Sequence, residues 1–191
     1  MSDFANGAIG FDVSIADPVA RIQSFIDKWH QAKDYNGFDA ALMRHIRIIS
    51  TSLSPSSSSS SPGVDDMSYP ATVATAKFTL LTIPALCNPM SRMHGGAVAL
   101  LVDMATTMTT AVISKEGWWE FGGVSRKLAV TYLRPILGDA EITILCELRS
   151  VGKRLTFCQC LIEDEQGNLL AVGEHDKSAL STSDPSRKSK M

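Results

Sequence analysis

The stretch from Asn88 to Ser114, NPMSRMHGGAVALLVDMATTMTTAVIS, contains an amide, a His-Gly-Gly triplet and a solitary carboxylate. Past Gly96 it is almost entirely Ala, Val, Leu, Met and Thr, and Asp103 is its one ionisable residue. An unpaired carboxylate in apolar surroundings costs several kcal/mol unless something pairs with it or uses it. Asp103 therefore either has structural partners, such as threonine hydroxyls on its own helix, or is the working group of a site. His94-Gly95-Gly96 stands where a helix should begin, so unpaired backbone N–H groups and the positive end of the helix dipole can hold negative charge there. Glycine lets a ligand approach that backbone closely. Asp103 follows about two turns later, with Thr107 and Thr110 on the same stripe, and Asn88 lies in the loop that enters the helix. A backbone donor, a carboxylate and an orienting amide are the parts that acyl transfer to water requires. The carboxylate could activate water or attack directly, and the residues alone do not choose between these.

The elements that must position this group can be read on either side of it. Asp17-Pro18 has the form of an N-cap followed by proline at the first helical position. Val19, Ile22, Ile26 and Trp29 recur at helical spacing and predict an amphipathic helix to about Ala32. A second short helix is expected from Gly37 or Phe38 toward Leu42. RHIRIISTSL and ATVATAKFTLLTIP predict two strands of one hairpin, its connection lengthened by a serine-rich insertion over residues 54–70 that has nothing to bury. Loop closure costs grow only logarithmically with length, so that insertion is tolerable. Beyond residue 120 the hydrophobic period becomes two and four further strands follow. In the first of them Val124, Leu128, Val130 and Tyr132 are predicted to share one face, with Ser125 and Lys127 on the other. A helix that is apolar nearly all round needs cover on most sides, and an antiparallel sheet curling around it would supply that cover. The expected organisation is a helical extension (1–40), one α+β domain (41–180) and a polar tail (181–191).

The chain has 191 residues, 45% of them hydrophobic, and a formal net charge of −2. That balance argues against a large nucleic-acid footprint. The four cysteines (Cys87, Cys146, Cys158, Cys160) form no framework and read as reduced, packed thiols. The histidines (His30, His45, His94, His175) show no metal-ligand spacing, so neither a metal nor another cofactor is expected. No apolar run is expected to reach the roughly 18 residues of a membrane span. The chain closes on Ser189-Lys190-Met191, which resembles the Ser-Lys-Leu peroxisomal address; the other expected locations are the cytoplasm and the mitochondrion.

The pattern N…HGG…LVD, followed by GVSRKLAVTYLRP and VGKRLTF, resembles the hotdog-fold acyl-CoA thioesterases of the phenylacetate-pathway (PaaI-like) branch. That resemblance implies a long helix wrapped by a six-stranded antiparallel sheet. It also implies hydrolysis of a fatty or aryl acyl-CoA to free acid and coenzyme A. Carried over by position, Asp103 is the general base or nucleophile and Gly95 offers the N–H that polarises the thioester carbonyl. Asn88 positions substrate or water, and Ser125 holds the water, its place opposite Leu128 and Val130 fitting a separate role. His94 and Gly96 complete the helix start. Tyr132, Arg134 and Pro135 approach the pantetheine arm, while Gly152, Lys153 and Arg154 approach the nucleotide, with His175 and Lys177 adding to that edge. Trp118 and Trp119 could line an acyl tunnel or close a core. The resemblance further implies a homodimer, in the form of a dimer of dimers, with each site shared between subunits. Two other readings stand beside it. A hotdog enoyl-CoA hydratase pairs Asp with His four or five residues apart, whereas His94 and Asp103 are nine apart. A non-catalytic acyl-CoA-binding protein on the same fold is the third.

Overall fold

The computed structural model describes residues 10–54 and 72–180. The serine run and the C-terminal tripeptide therefore lie outside the described residues. Asp17 caps α1 (Pro18–Gln31), its Oδ2 accepting the Ala20 N–H at 2.9 Å, and Pro18 takes the first helical position, where a missing N–H costs nothing. Ile22, Phe25, Ile26 and Trp29 form the buried face of α1. The second helix is shorter than its expected start at Gly37 or Phe38. It is one turn, α2 (Ala40–Met43), because Phe38 is 81% exposed and has no burial with which to extend it. Asp39 instead accepts hydrogen bonds from Trp29 Nε1 at 3.1 Å and Tyr35 Oη at 2.8 Å.

Strands β1 (Ile46–Leu53) and β2 (Ala74–Leu81) pair antiparallel as the predicted hairpin, and the Ser54 N–H donates to the Val73 carbonyl where the long connection leaves. The chain then crosses through α3 (Gly95–Thr109) to β3 (Val124–Tyr132), β4 (Glu141–Val151), β5 (Leu155–Glu163) and β6 (Leu169–Ser178). The sheet order is β1-β2-β4-β5-β6-β3, with every neighbouring pair antiparallel. This is the α+β hotdog architecture expected from the sequence. Alternate residues of β2 (Ala74, Ala76, Phe78, Leu80) and β4 (Ile142, Ile144, Cys146, Leu148) are buried, as a sheet with one face on a helix requires. Cys146, Cys158 and Cys160 are free and buried in the same core. Gly173 lets α3 approach β6 closely, because a Cβ there would stand 2.4 Å from Val102 Cγ1.

Two further expectations are corrected by the fold. The 18-residue stretch Gly95–Val112 is long and apolar enough to cross a membrane by length and composition, contrary to the sequence reading. In the structure it is the core helix and the turn that continues it, packed against the sheet. The second correction concerns β3. Its register against β6 slips between Ser125 and Lys127, which pair with Lys177 and Asp176 respectively, so Arg126 is the extra residue of a bulge. A bulge reverses the alternation of side chains beyond it. Ser125 therefore shares the helix-facing side with Leu128, Val130 and Tyr132, and Val124 does not.

Arg21 fastens α1 to the far end of the core helix. It is 7% exposed, and its guanidinium donates to the carbonyls of Ala111 (2.7 Å), Ser114 (3.0 Å) and Ile15 (2.7 Å). A cation at those carbonyls also complements the negative end of the helix dipole. Arg21→Met keeps the aliphatic stem and strips the Ser114 and Ile15 carbonyls of their donor, while the Ala111 carbonyl keeps the Ser114 hydroxyl at 3.1 Å. The expected loss is about 3 kcal/mol, which for a chain of this size lowers the melting temperature by roughly 6–12 °C. A calorimetric scan checks it; an unchanged midpoint would show that water takes over the Ser114 and Ile15 carbonyls at no cost.

Candidate active site

Asp103 lies on the one stripe of α3 that the sheet does not cover. Its side chain is 35% exposed, while Leu101, Val102, Ala105 and Thr106 around it are fully buried. The puzzle of an isolated carboxylate is thus resolved in part by position: Asp103 sits at the boundary of the core. It also has partners. Ser125 Oγ is 3.3 Å from Asp103 Oδ1 and 2.9 Å from His175 Nε2. The other ring nitrogen, His175 Nδ1, is 2.6 Å from Thr106 Oγ1. On the next helix turn Thr107 Oγ1 donates to the Asp103 carbonyl at 2.6 Å and accepts from Lys177 Nζ at 2.8 Å.

His175 and Lys177 are therefore misplaced by the expectation that they line the coenzyme A edge. Both project from β6 toward α3, 0% and 1% exposed, because the register of β6 against β5 and β3 turns odd-numbered residues inward. Burial, reinforced by the Lys177 ammonium, pushes the His175 imidazole down to about 4, with the Asp103 carboxylate opposing the shift. The ring is neutral at neutral pH. Burial also lowers the Lys177 ammonium from its ordinary value, again opposed by Asp103.

A second group gathers at the start of α3. His94 is its N-cap, Nδ1 accepting the Gly96 N–H at 3.0 Å. The Gly95 N–H has no hydrogen-bond partner among the described residues, as expected of a first-turn donor. Asn88 Oδ1 accepts the N–H groups of Met90 (2.9 Å) and Arg92 (3.3 Å), which folds the turn in which Ser91 has φ 55°. Tyr132 Oη donates to the Gly95 carbonyl at 2.8 Å and so ties β3 to the helix start. Asn88, Gly95, Tyr132, Arg134 and Pro135 line one cleft of about 440 Å³. A separate groove of about 370 Å³ holds Lys153 and Arg154 beside Trp118 and Trp119. Trp119 is buried, its Nε1 donating to the Gly152 carbonyl at 3.1 Å, so it closes the core as well as the groove. Met93 and Met108 are likewise core, whereas Met90 is 75% exposed.

The structure thus brings together Asp103, Ser125, His175 and Lys177 in one place, and Asn88, Gly95 and the Tyr132–Pro135 segment in another. Sequence reasoning missed Thr106, whose contact with His175 depends on strand register and leaves no local signal.

The geometry agrees with what the chain is similar to. The thioesterase superfamily model matches residues 90–171. The chain has the hotdog fold, and its residues 90–171 are similar to the thioesterase superfamily. Acyl-coenzyme A thioesterase 13 of Mus musculus is 33% identical over 91 residues, 47% of this chain and 62% of that protein, so the match spans less than two thirds of the relative. Among solved structures, zebrafish thioesterase superfamily member 2 superposes with a TM-score of 0.62 at 22% identity, over 85% of this chain and 98% of that one. The E. coli PaaI protein from the phenylacetic acid degradation operon gives 0.55 at 18% identity, over 80% and 90%. At those identities the two superpositions establish the hotdog fold. The family match covers Gly95, Asp103, Ser125 and Tyr132, and Asn88 falls just outside it.

Proposed function

We propose that this hotdog protein hydrolyses acyl-CoA thioesters, of fatty or aryl acids, in the manner of the phenylacetate-pathway branch. The observation that carries the reading is Asp103: a half-exposed carboxylate on an otherwise apolar core helix, with the Ser125 hydroxyl 3.3 Å away. In this reading Asp103 takes a proton from water as the water oxygen bonds to the thioester carbon. The Gly95 N–H receives the developing oxyanion, aided by the dipole of α3. Asn88 holds the substrate beside it. The carbon–sulfur bond then breaks, and the proton held by Asp103 passes to the departing coenzyme A sulfur. The pantetheine arm follows the cleft at Tyr132, Arg134 and Pro135, and the exposed ammonium and guanidinium of Lys153 and Arg154 meet phosphate. Two copies of the chain complete each site as a homodimer, itself half of a dimer of dimers, and the C-terminal tripeptide directs it to peroxisomes.

Hydrolysis of an acyl-CoA chain-length series, with thiol release measured, tests the activity. Turnover that varies with acyl length supports it. Tight coenzyme A binding with no thiol release at any length would favour the non-catalytic binding reading instead.

A further inference from the structure

Two distances decide where the Ser125 hydroxyl hydrogen goes. The gap of 3.3 Å from Ser125 Oγ to Asp103 Oδ1 is long for a hydroxyl donating to a carboxylate, where about 2.5–2.7 Å is usual. The gap of 2.9 Å to His175 Nε2 lies within hydrogen-bond range. The far side of the ring supports the same direction. Thr106 Oγ1 is 2.6 Å from the Val102 carbonyl, the i−4 bond that threonine commonly makes inside a helix. With its single hydrogen used there, Thr106 Oγ1 can only accept from His175 Nδ1, 2.6 Å away. A neutral ring that carries its proton on Nδ1 presents a bare Nε2, which needs a donor. Ser125 is that donor.

We infer that His175 is a positioning residue: it draws the Ser125 hydroxyl hydrogen away from Asp103, leaving Ser125 Oγ and the Asp103 carboxylate as two acceptors for the hydrogens of one water. The water's lone pair is then turned outward, toward the uncovered side of α3. The inference rests on the hydrolytic reading of Asp103 for the water's role, whereas the direction of the Ser125 hydroxyl rests on the geometry around a neutral ring and not on that reading. The groups facing His175 are Asp103 and Thr106 from α3, Ser125 and Leu128 from β3, and Cys158 from β5, with Lys177 on its own strand. Burial beside Lys177 keeps the ring neutral, which the arrangement requires. A protonated ring would donate at Nε2, release the Ser125 hydrogen to Asp103 and occupy the base.

The ring-nitrogen NMR spectrum of the full chain with ¹⁵N-labelled histidine reads the tautomer directly and needs no turnover. At neutral pH the His175 ring is expected to show Nδ1 protonated and Nε2 bare. Thr106→Val, which removes the acceptor for Nδ1–H, is expected to shift that population toward the Nε2–H form. An Nε2–H or doubly protonated ring in the unsubstituted chain overturns the inference. Kinetics supply the second arm. His175→Asn should lower kcat about tenfold with little change in KM, and should cause no further loss in a Ser125→Ala background, because the two act as one unit. Equal losses in both backgrounds would show that His175 acts only through folding, and would overturn the positioning role. A chain inert toward every acyl-CoA but showing the Nδ1–H ring sinks the hydrolytic reading while upholding the orientation of the hydroxyl.

Discussion

Asp103→Asn is expected to lower kcat by roughly a hundredfold or more, as loss of a general base does, while melting temperature and coenzyme A affinity stay close to those of the unsubstituted chain. Asparagine has nearly the same shape, and the side chain at this position is 35% exposed, so no cavity opens and no polar atom is newly stranded. Lys177 keeps its hydrogen bond to Thr107 and loses only the nearby anion. Thiol release, a thermal melt and a coenzyme A titration on the same preparation separate chemistry from folding and binding. Turnover near that of the unsubstituted chain would remove Asp103 from the mechanism. Ser125→Ala should be milder, about tenfold, because a hydroxyl that orients water can be replaced by a second water more readily than a base can.

The parts of this structure that were legible in the sequence are those written in short-range patterns. Asp17-Pro18 marks a helix start by local hydrogen bonding and fixed φ, and His94-Gly95-Gly96 marks another. The pairing of β1 with β2 follows from two β-rich runs around a polar insertion. The wrapped helix follows from an apolar run too uniform to be left uncovered. What was not legible depends on registers set between distant segments. The extra residue at Arg126 cannot be seen in VSRKLAVTY, because a bulge is defined by what the partner strand lacks. Reading strict alternation through it sends Ser125 to the outer face, whereas the structure turns it toward Asp103. The same applies to His175 and Lys177. As polar residues of a last strand they suggest an exposed edge, yet pairing with β5 and β3 turns both beneath the core helix, where Thr106 and Thr107 meet them. The carboxylate was visible as an anomaly. Its partners were not, since each comes from a strand whose register is decided elsewhere.

If two copies complete each site, as proposed, a mixture of two disabled chains is expected to recover activity. Gly95 and Asp103 are eight residues apart on α3, about 12 Å along its axis. The path from donor N–H through carbonyl and water to carboxylate has three contacts of about 3 Å and one carbon–oxygen bond of about 1.2 Å, and it bends at the carbonyl and at the water, so it spans less than about 10 Å. In the proposed homodimer a second copy would close the gap. If a two-fold axis crosses the uncovered stripe of α3 near Ala99, midway between them, residue 95 of one chain lies opposite residue 103 of the other. That stripe holds Gly96, Ala99, Leu100 and Asp103, none of them buried, and β3 beside it is an edge strand with Val124 48%, Leu128 36% and Tyr132 55% exposed. An open apolar edge of this kind invites pairing with another chain. Asn88→Ala disables the donor side and Asp103→Asn the base side, each alone leaving little turnover. After the two are unfolded and refolded together, a mixed dimer has one site with both substitutions and one with neither. Random pairing makes about half the dimers mixed, and half of their sites are intact, so roughly a quarter of the unsubstituted activity should return. Native mass spectrometry of isotope-labelled chains verifies that the subunits have exchanged. With exchange verified, activity that remains at the level of the separate variants means that Asn88 and Asp103 serve a site within one chain.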